Sequence, residues 1–215
     1  MSTLYWNTVT PAMRQVLAGF GKSTLAGDFY LAGGTALALQ MGHRLSVDLD
    51  FFSPMHSDIP ALLEPLRKAL DPFSAVLADS SWGNLDFLAN GVRLGFYGYG
   101  YELVAPSGEA EGITLASLPD IGLMKLDALL GRASRKDFHD LYAICQRTSL
   151  HELLTLAPRK YPAVRDFAAQ ATRHMVYFER AEQETPLPLL EDVPWETVKA
   201  WFRQQAKDIV QGWLS

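Results

Sequence analysis

The chain has a single cysteine, no apolar run near the length of a membrane span and no excess of basic residues. One cysteine, Cys145, excludes an internal disulfide and fits a reducing compartment. It lies in an apolar helical pattern, where a buried, inert thiol is expected. No stretch approaches the roughly 20 apolar residues that a helix needs to cross a bilayer. The start Met1-Ser2-Thr3-Leu4-Tyr5-Trp6-Asn7 lacks the basic and apolar regions of a secretion signal, so a cytoplasmic protein with no membrane partner is expected. The net charge of −5 speaks against a nucleic-acid-coating protein. Residues 131–180 nevertheless carry nine Lys/Arg against five Asp/Glu. That local excess suits a phosphate-bearing partner, or simply a solvated helix surface. What the chain does have is 215 residues with 48% hydrophobic and 20% charged content, enough for a substantial globular core.

The pattern changes character near residue 115. Before it, Val9–Phe20 has apolar residues at helical spacing, and Phe29–Ala32 is a short apolar strand running into Gly33-Gly34. Leu45–Phe52 alternates like a strand, and Ile59–Leu70 places Leu62, Leu63, Leu66 and Leu70 on one helix face. Residues 85–97 form a hairpin about Asn90-Gly91, whose positive-φ preference fits a type I′ turn. Its register pairs Ala89 with Val92, Leu88 with Arg93, Phe87 with Leu94 and Asp86 with Gly95. Pro106–Gly112 reads as a loop. After residue 115 the chain looks helical. Ser117-Leu118-Pro119-Asp120 starts one helix, which Gly131 ends; Ser134-Arg135-Lys136-Asp137 starts the next with the same capping pattern. Further helices are expected over Val164–Arg180 and Trp195–Trp213, separated by the proline-bearing segment Thr185–Pro194. The fold class is therefore α+β: a mixed sheet with flanking helices over 1–115, and a helical half over 116–215.

The densest chemistry lies between Leu31 and Phe52. If Leu45–Phe52 is a strand, Leu45, Val47, Leu49 and Phe51 face one way while Ser46, Asp48, Asp50 and Phe52 face the other. Asp48 and Asp50 then stand about 7 Å apart along the backbone on one face. Two such carboxylates repel unless a cation joins them, and a hard ion such as Mg2+ (or Mn2+) takes oxygen ligands of this kind. Gly33 and Gly34 open a helix at Thr35 with unshielded backbone N–H groups, an arrangement that attracts phosphate. Metal acids beside a phosphate cradle point to a nucleoside triphosphate, NTP, as substrate. Arg44 and His43 are candidates for the phosphate entrance, though a turn histidine can equally bond locally. Ser46 shares the acids' face. A third carboxylate has no place on Val92–Phe96, where Gly95 stands, but the hairpin register sets Asp86 opposite that glycine. Asp86 is the candidate third metal ligand, or else an exposed edge-strand acid.

Beyond the acid pair, Gly33-Gly34-Thr35-Ala36-Leu37-Ala38-Leu39, Gly42-His43-Arg44, Ser46, Asp48-Leu49-Asp50-Phe51-Phe52, Lys125-Leu126-Asp127-Ala128-Leu129 and Arg135-Lys136-Asp137-Phe138-His139-Asp140-Leu141-Tyr142 closely resemble the AbiEii/AbiGii-type toxin family of nucleotidyltransferases. The likeness runs from about Leu4 to Lys207. It implies a metal-dependent transfer of a nucleoside monophosphate to a macromolecular hydroxyl, on RNA such as tRNA or on protein. It also implies a bacterial toxin–antitoxin or phage-defence role with a cognate antitoxin, and a helical half that closes over the nucleotide. By the resemblance, Asp48 and Asp50 are the metal acids and Gly33, Gly34 and Thr35 the phosphate cradle; Lys125 is the motif lysine, expected to reach the triphosphate and stabilise the departing pyrophosphate, and Lys136, Asp137 and Asp140 form the Lys-Asp-x-x-Asp motif, with Lys136 on the nucleotide and one of the acids orienting the nucleophile. Each has a plainer alternative. Lys125 could extend along apolar neighbours to solvent, Asp137 could complete a capping box with Ser134, and Asp140 could pair with Lys136 one turn away. A phosphotransferase, or a catalytically weak nucleotide-binding module, would use the same residues.

Overall fold

A computed structural model describes residues 3–185, 189–190 and 193–214. The chain divides into two compact units, 1–117 and 118–215. The first carries a seven-stranded mixed sheet, built from β1 (Tyr30–Ala32), β2 (Asp48–Ser53), β3 (Val76–Ser81), β4 (Asn84–Ala89), β5 (Val92–Gly98), β6 (Gly108–Ala110) and β7 (Ile113–Leu115) in the spatial order β3-β4-β5-β2-β1-β7-β6. Helices α1 (Pro11–Phe20), α2 (Gly33–Met41) and α3 (Leu63–Leu70) complete this unit. The second is helical: α4 (Leu118–Gly131), α5 (Arg135–Cys145), α6 (Leu150–Lys160), α7 (Phe167–His174), α8 (Glu179–Glu182) and α9 (Trp195–Leu214). No helix among the described residues is long and apolar enough to cross a membrane.

The central strand β2 organises the first unit. Its buried positions are Leu49, Phe51 and Ser53, and its half-exposed ones Asp48, Asp50 and Phe52. On the buried face Phe51 stacks on Phe96 of β5 at 5.0 Å, and Phe20 of α1 meets both rings at 4.8 and 5.3 Å. Phe29 and Phe87 add edge contacts to Phe96 at 5.3 and 6.0 Å. This aromatic cluster is the reason α1 lies on that face. Thr10 caps α1 by accepting from the Met13 N–H, with Pro11 at the first helical position.

The Asn90-Gly91 hairpin has the expected register, Ala89 with Val92 through Asp86 with Gly95, and both turn residues have positive φ. Three strands lie outside what the sequence pattern suggested. β3 is an exposed edge strand whose side chains carry no alternating burial signal. The Pro106–Gly112 stretch is not all loop: β6 and β7 form a second hairpin about Glu111-Gly112, at φ 52° and 82°. β7 then lies parallel to β1. The strand foreseen over Leu45–Phe52 begins only at Asp48, because Ser46 gives its N–H to Thr8 rather than to a neighbouring strand. Leu45 and Val47 are consequently exposed, Val47 to 75%. The helix expected over Ile59–Leu70 opens as a 3-10 turn and becomes α-helical at Leu63.

In the second unit α4, α5 and α9 begin at the anticipated residues. The span Val164–Arg180 splits into the short α7 and α8, with Asp166 in the left-handed region just before α7. Helix α6 opens on a reciprocal capping box between Ser149 and Glu152. The proline-bearing segment between α8 and α9 lies partly outside the described residues. Phe138 anchors the core of this unit against Phe178, Trp195 and Phe202 at 5.1 to 5.7 Å. A fully buried ion pair, Lys160 to Asp120 at 2.9 Å, ties α6 to α4. Cys145 is half-buried, and burial pushes its thiol up to about 12, so it stays protonated and unreactive at neutral pH.

Replacing Phe96, the ring shared by four aromatic contacts, should cost more than most core truncations. For Phe96→Ala we expect a loss of about 3–5 kcal/mol in urea unfolding, against under about 0.5 kcal/mol for truncating the exposed Val47.

Candidate active site

The half-exposed face of the sheet is built by the pairing of β2 between β1 and β5. β1 runs antiparallel to β2 and sets Ala32 beside Asp50; β5 runs parallel and sets Arg93 beside Asp48, Gly95 beside Asp50 and Tyr97 beside Phe52. Partners in a ladder share a face. Asp86 of β4 opposes Gly95, so one row reads Ala32, Asp50, Gly95, Asp86 across four strands. The next row toward the start of β2 holds Asp48 and Arg93, and the next in the other direction Tyr30, Phe52 and Tyr97.

The Gly-Gly turn meets these acids directly. Helix α2 starts at Gly33, two residues before the expected Thr35, with Ala32 as its N-cap. Gly33 has φ +66°, and a Cβ there would lie 2.8 Å from Oδ2 of Asp50. Only glycine brings this backbone so close to the carboxylate. At Gly34 a Cβ would fall 2.1 Å from Nη2 of Arg44, so the buried guanidinium packs against the bare Cα. Arg44 also donates to the Leu45 carbonyl at 3.0 Å. His43 is buried beside it in sequence, 6% exposed.

Thr35 and Ser46 stand elsewhere than the spacing suggested. Both are buried, with their hydroxyls 2.7 Å apart. Thr35 donates its proton to the Asp48 carbonyl, so Ser46 is the donor between the two hydroxyls. These side chains lock the start of α2 to the start of β2; neither offers its hydroxyl to solvent.

Asp86 is 6% exposed and therefore no open edge-strand acid. Its Oδ2 accepts from Nη2 of Arg93 at 2.7 Å, and its Oδ1 from the Tyr97 hydroxyl at 3.4 Å. The Tyr97 oxygen lies across Gly95, 2.3 Å from where a Cβ would be. Burial raises the Tyr97 pKa, and the charges of Asp50 and Asp86 raise it further, so the phenol stays protonated. The Asp86 carboxylate beside it holds the Arg93 guanidinium above its ordinary value. Among the described residues no three His, Cys, Asp or Glu side chains gather into a cation cage. The trio Asp48, Asp50 and Asp86 is thus not assembled as three metal ligands. Asp48 and Asp50 do suit Mg2+, which takes one or two carboxylates and completes its shell with water and substrate phosphate.

The motif of the second unit forms its own cluster. Lys125 on α4 is 4% exposed, and its ammonium stands 3.0 Å from Asp137 and 2.7 Å from Asp140 on α5. It neither reaches along the surface to solvent nor presents an uncommitted charge. Arg132 grips Asp137 through two 2.8 Å bonds, and the Ser134 hydroxyl donates to the same carboxylate at 2.6 Å. Ser134 is the N-cap of α5, but its side chain accepts no backbone N–H, so the expected capping box is not formed. Nor does Asp140 pair with Lys136, which is half-exposed and makes no ion pair among the described residues. Burial pushes the Asp137 carboxyl up, yet Lys125, Arg132 and Ser134 together outweigh it and hold it well below the usual carboxylate range.

Arg93, Tyr97 and Arg132 escaped the sequence analysis. The hairpin register alone placed Asp86 opposite Gly95, but only the parallel pairing of β5 with β2 puts Arg93 beside Asp48. For Arg132 the spacing to Asp137 was a usable signal, obscured by the glycine that ends α4.

Because the folded Asp137 is the stronger acid, the unfolded chain takes up the proton first. Its stabilising contribution is complete above the ordinary carboxylate pKa of about 4 and is lost as pH falls toward the depressed folded value. Asp137→Asn should cost about 3 kcal/mol at pH 7. Urea titrations from neutral to acid pH should show that difference shrinking below about pH 4.

Several known proteins are similar to this chain. The family model for the AbiEii nucleotidyl transferase toxin of type IV toxin–antitoxin systems matches residues 15–81. An uncharacterized protein of Aquifex aeolicus (strain VF5) is 34% identical over 194 residues, covering 87% of this chain and 90% of that one. Among solved structures, a candidate nucleotidyltransferase from H. pylori superimposes with a TM-score of 0.58 at 19% identity, covering 94% of this chain and 92% of the other. The antibiotic-resistance factor ANT(2'')-Ia superimposes with a TM-score of 0.51 at 12% identity, over 80% and 98%. At these identities the two structures speak for the fold.

Proposed function

We propose that this chain, which belongs to the AbiEii family of nucleotidyltransferases, moves a nucleoside monophosphate from an NTP onto a hydroxyl of RNA, as the toxin of a toxin–antitoxin pair. The observation that carries the chemistry is the meeting of Gly33 with Asp50. A phosphate-attracting helix start and a carboxylate pair suited to a cation meet on one sheet face, where a Cβ at Gly33 would lie 2.8 Å from Oδ2 of Asp50.

In this reading Asp48 and Asp50 hold Mg2+, or Mn2+, whose bound charge polarises the α-phosphate and acidifies the attacking hydroxyl. The chain's own groups do the positioning. The N–H groups at Gly33 and Gly34 receive the triphosphate oxygens, and Arg44, packed on Gly34, adds fixed positive charge at the same turn. Thr35 and Ser46 keep the turn and the acid strand in register. Displacement at phosphorus needs alignment and charge neutralisation, so no covalent enzyme intermediate is expected.

The Lys125–Asp137–Asp140 cluster supports a positioning role. Its lysine charge is shared by two buried carboxylates, which fixes α4 against α5. Lys136, half-exposed on the same helix, makes no ion pair among the described residues. An RNA acceptor is favoured by the exposed Arg147, Arg159, Arg165, Arg173 and Arg180, which make no ion pair among the described residues. Lys160 and Arg132, by contrast, are committed to Asp120 and Asp137.

The test is incubation with each NTP labelled at its α-phosphate, together with total RNA or with cell lysate. Label in RNA with release of pyrophosphate is expected. Label in protein would reassign the acceptor, and diphosphate release would mean phosphoryl transfer. Asp48→Ala and Asp50→Ala should each remove transfer, by at least about a thousand-fold, with an unchanged melting temperature. Gly33→Ala should also be inactive, because its Cβ would meet the Asp50 carboxylate.

A further inference from the structure

The seven strands contain one basic residue, Arg93. It lies on the acid-bearing face, beside Asp48 in the β2–β5 ladder and ion-paired with Asp86 at 2.7 Å. The charges acting on this guanidinium are those of Asp86 and, more weakly, Asp48. Its side chain is 63% exposed, while the Asp86 side chain is 8% exposed. The carboxylate is therefore held inward and the cation faces outward.

The slot between Asp50 and Asp86 is closed as well. Gly95 is the ladder partner of both, and the Tyr97 phenol lies over it. The hydroxyl also donates to Asp86, occupying the oxygen that Arg93 leaves. A third carboxylate in this row would be the natural bridge to a second divalent cation. Here its two oxygens are already bonded, and the intervening space holds a ring.

We propose that Arg93 and Tyr97 stand in for a second metal ion: the centre takes a single exchangeable divalent cation at Asp48 and Asp50, and Arg93 supplies the other positive charge as a fixed group held by Asp86. The guanidinium cannot leave with product or be stripped by chelation, so the outer side of the acid pair stays neutralised when the metal exchanges. Arg93 is thereby a positioning residue for Asp86 and a permanent counter-charge to Asp48. This inference rests on the assignment of Asp48 and Asp50 as cation ligands.

The experiment is titration of the full chain with Mn2+, followed by the paramagnetic resonance of free Mn2+ in the absence of nucleotide. The wild-type chain should bind a single Mn2+, and Asp50→Asn should lose it. Arg93→Ala combined with Tyr97→Ala frees both Asp86 oxygens and clears the ring from the slot, and should gain a second Mn2+, whereas Arg93→Lys should keep the wild-type stoichiometry. Adding Asp86→Asn to that pair of substitutions should remove the gain, which separates a new ligand from a general rise in negative charge. Two Mn2+ ions on the wild-type chain would overturn the proposal. So would an Arg93→Ala, Tyr97→Ala chain that still binds one, or a gain that survives Asp86→Asn. No binding to the wild-type chain, or binding indifferent to Asp50→Asn, would instead remove the assignment of the acid pair itself and the inference with it. Thermal melting of each variant checks that the sheet is intact; Arg93 is exposed enough that folding should persist.

Discussion

The parallel ladder between Asp48–Ser53 and Val92–Gly98 is the constraint on which the first unit depends. A strand has two faces with period two, so every position in that ladder is committed either to the aromatic core or to the acid-bearing face. Phe51 on Phe96 fixes the register from below. A slip by one residue would expose both rings and bury Asp48 and Asp50, at a cost of several buried aromatic side chains plus two unpaired charges. The hydrophobic effect thus holds the carboxylates in place without touching them.

The glycines at the centre follow from the same packing. Gly33 is needed where the backbone turns into α2 within reach of Asp50, and Gly34 where Arg44 lies flat on the chain. Gly95 lets Tyr97 fold across the strand toward Asp86. In each case a missing side chain makes room for a neighbouring charged or polar group. The functional face is assembled by close approach of backbone to carboxylate, guanidinium and phenol.

The two units solve like-charge repulsion differently. On the sheet, Asp48 and Asp50 are half-exposed, and water meets part of the demand for neutralising charge. In the helical unit, Asp137 and Asp140 are fully buried, and the same demand is met by Lys125, with Arg132 adding to it at Asp137. Buried carboxylates need permanent partners because an unpaired charge in a low dielectric is prohibitive. Half-exposed ones tolerate intervals of solvation. Burial therefore separates acids that need permanent partners from acids that stay in contact with water, although both pairs belong to recognisable motifs.

Much of this was legible in the sequence, where local rules decide. Alternation placed Asp48, Asp50 and Phe52 on one face, and Asn90-Gly91 fixed the hairpin register down to Asp86 opposite Gly95. Capping patterns located the starts of α4 and α5. Periodicity failed where side chains carried no alternating burial signal, as in the exposed β3, or where a strand was only three residues long, as in β6 and β7. The partners of each charged group belonged to the tertiary structure alone. Arg93 meets Asp86, and Lys125 rather than Lys136 meets Asp140, because strand order and helix packing bring together residues that sequence spacing does not relate. The sequence by itself determined which residues could do chemistry and on which face they lie. Tertiary packing decided which charges are already spent, since that depends on neighbours distant along the chain and on how much water remains between them.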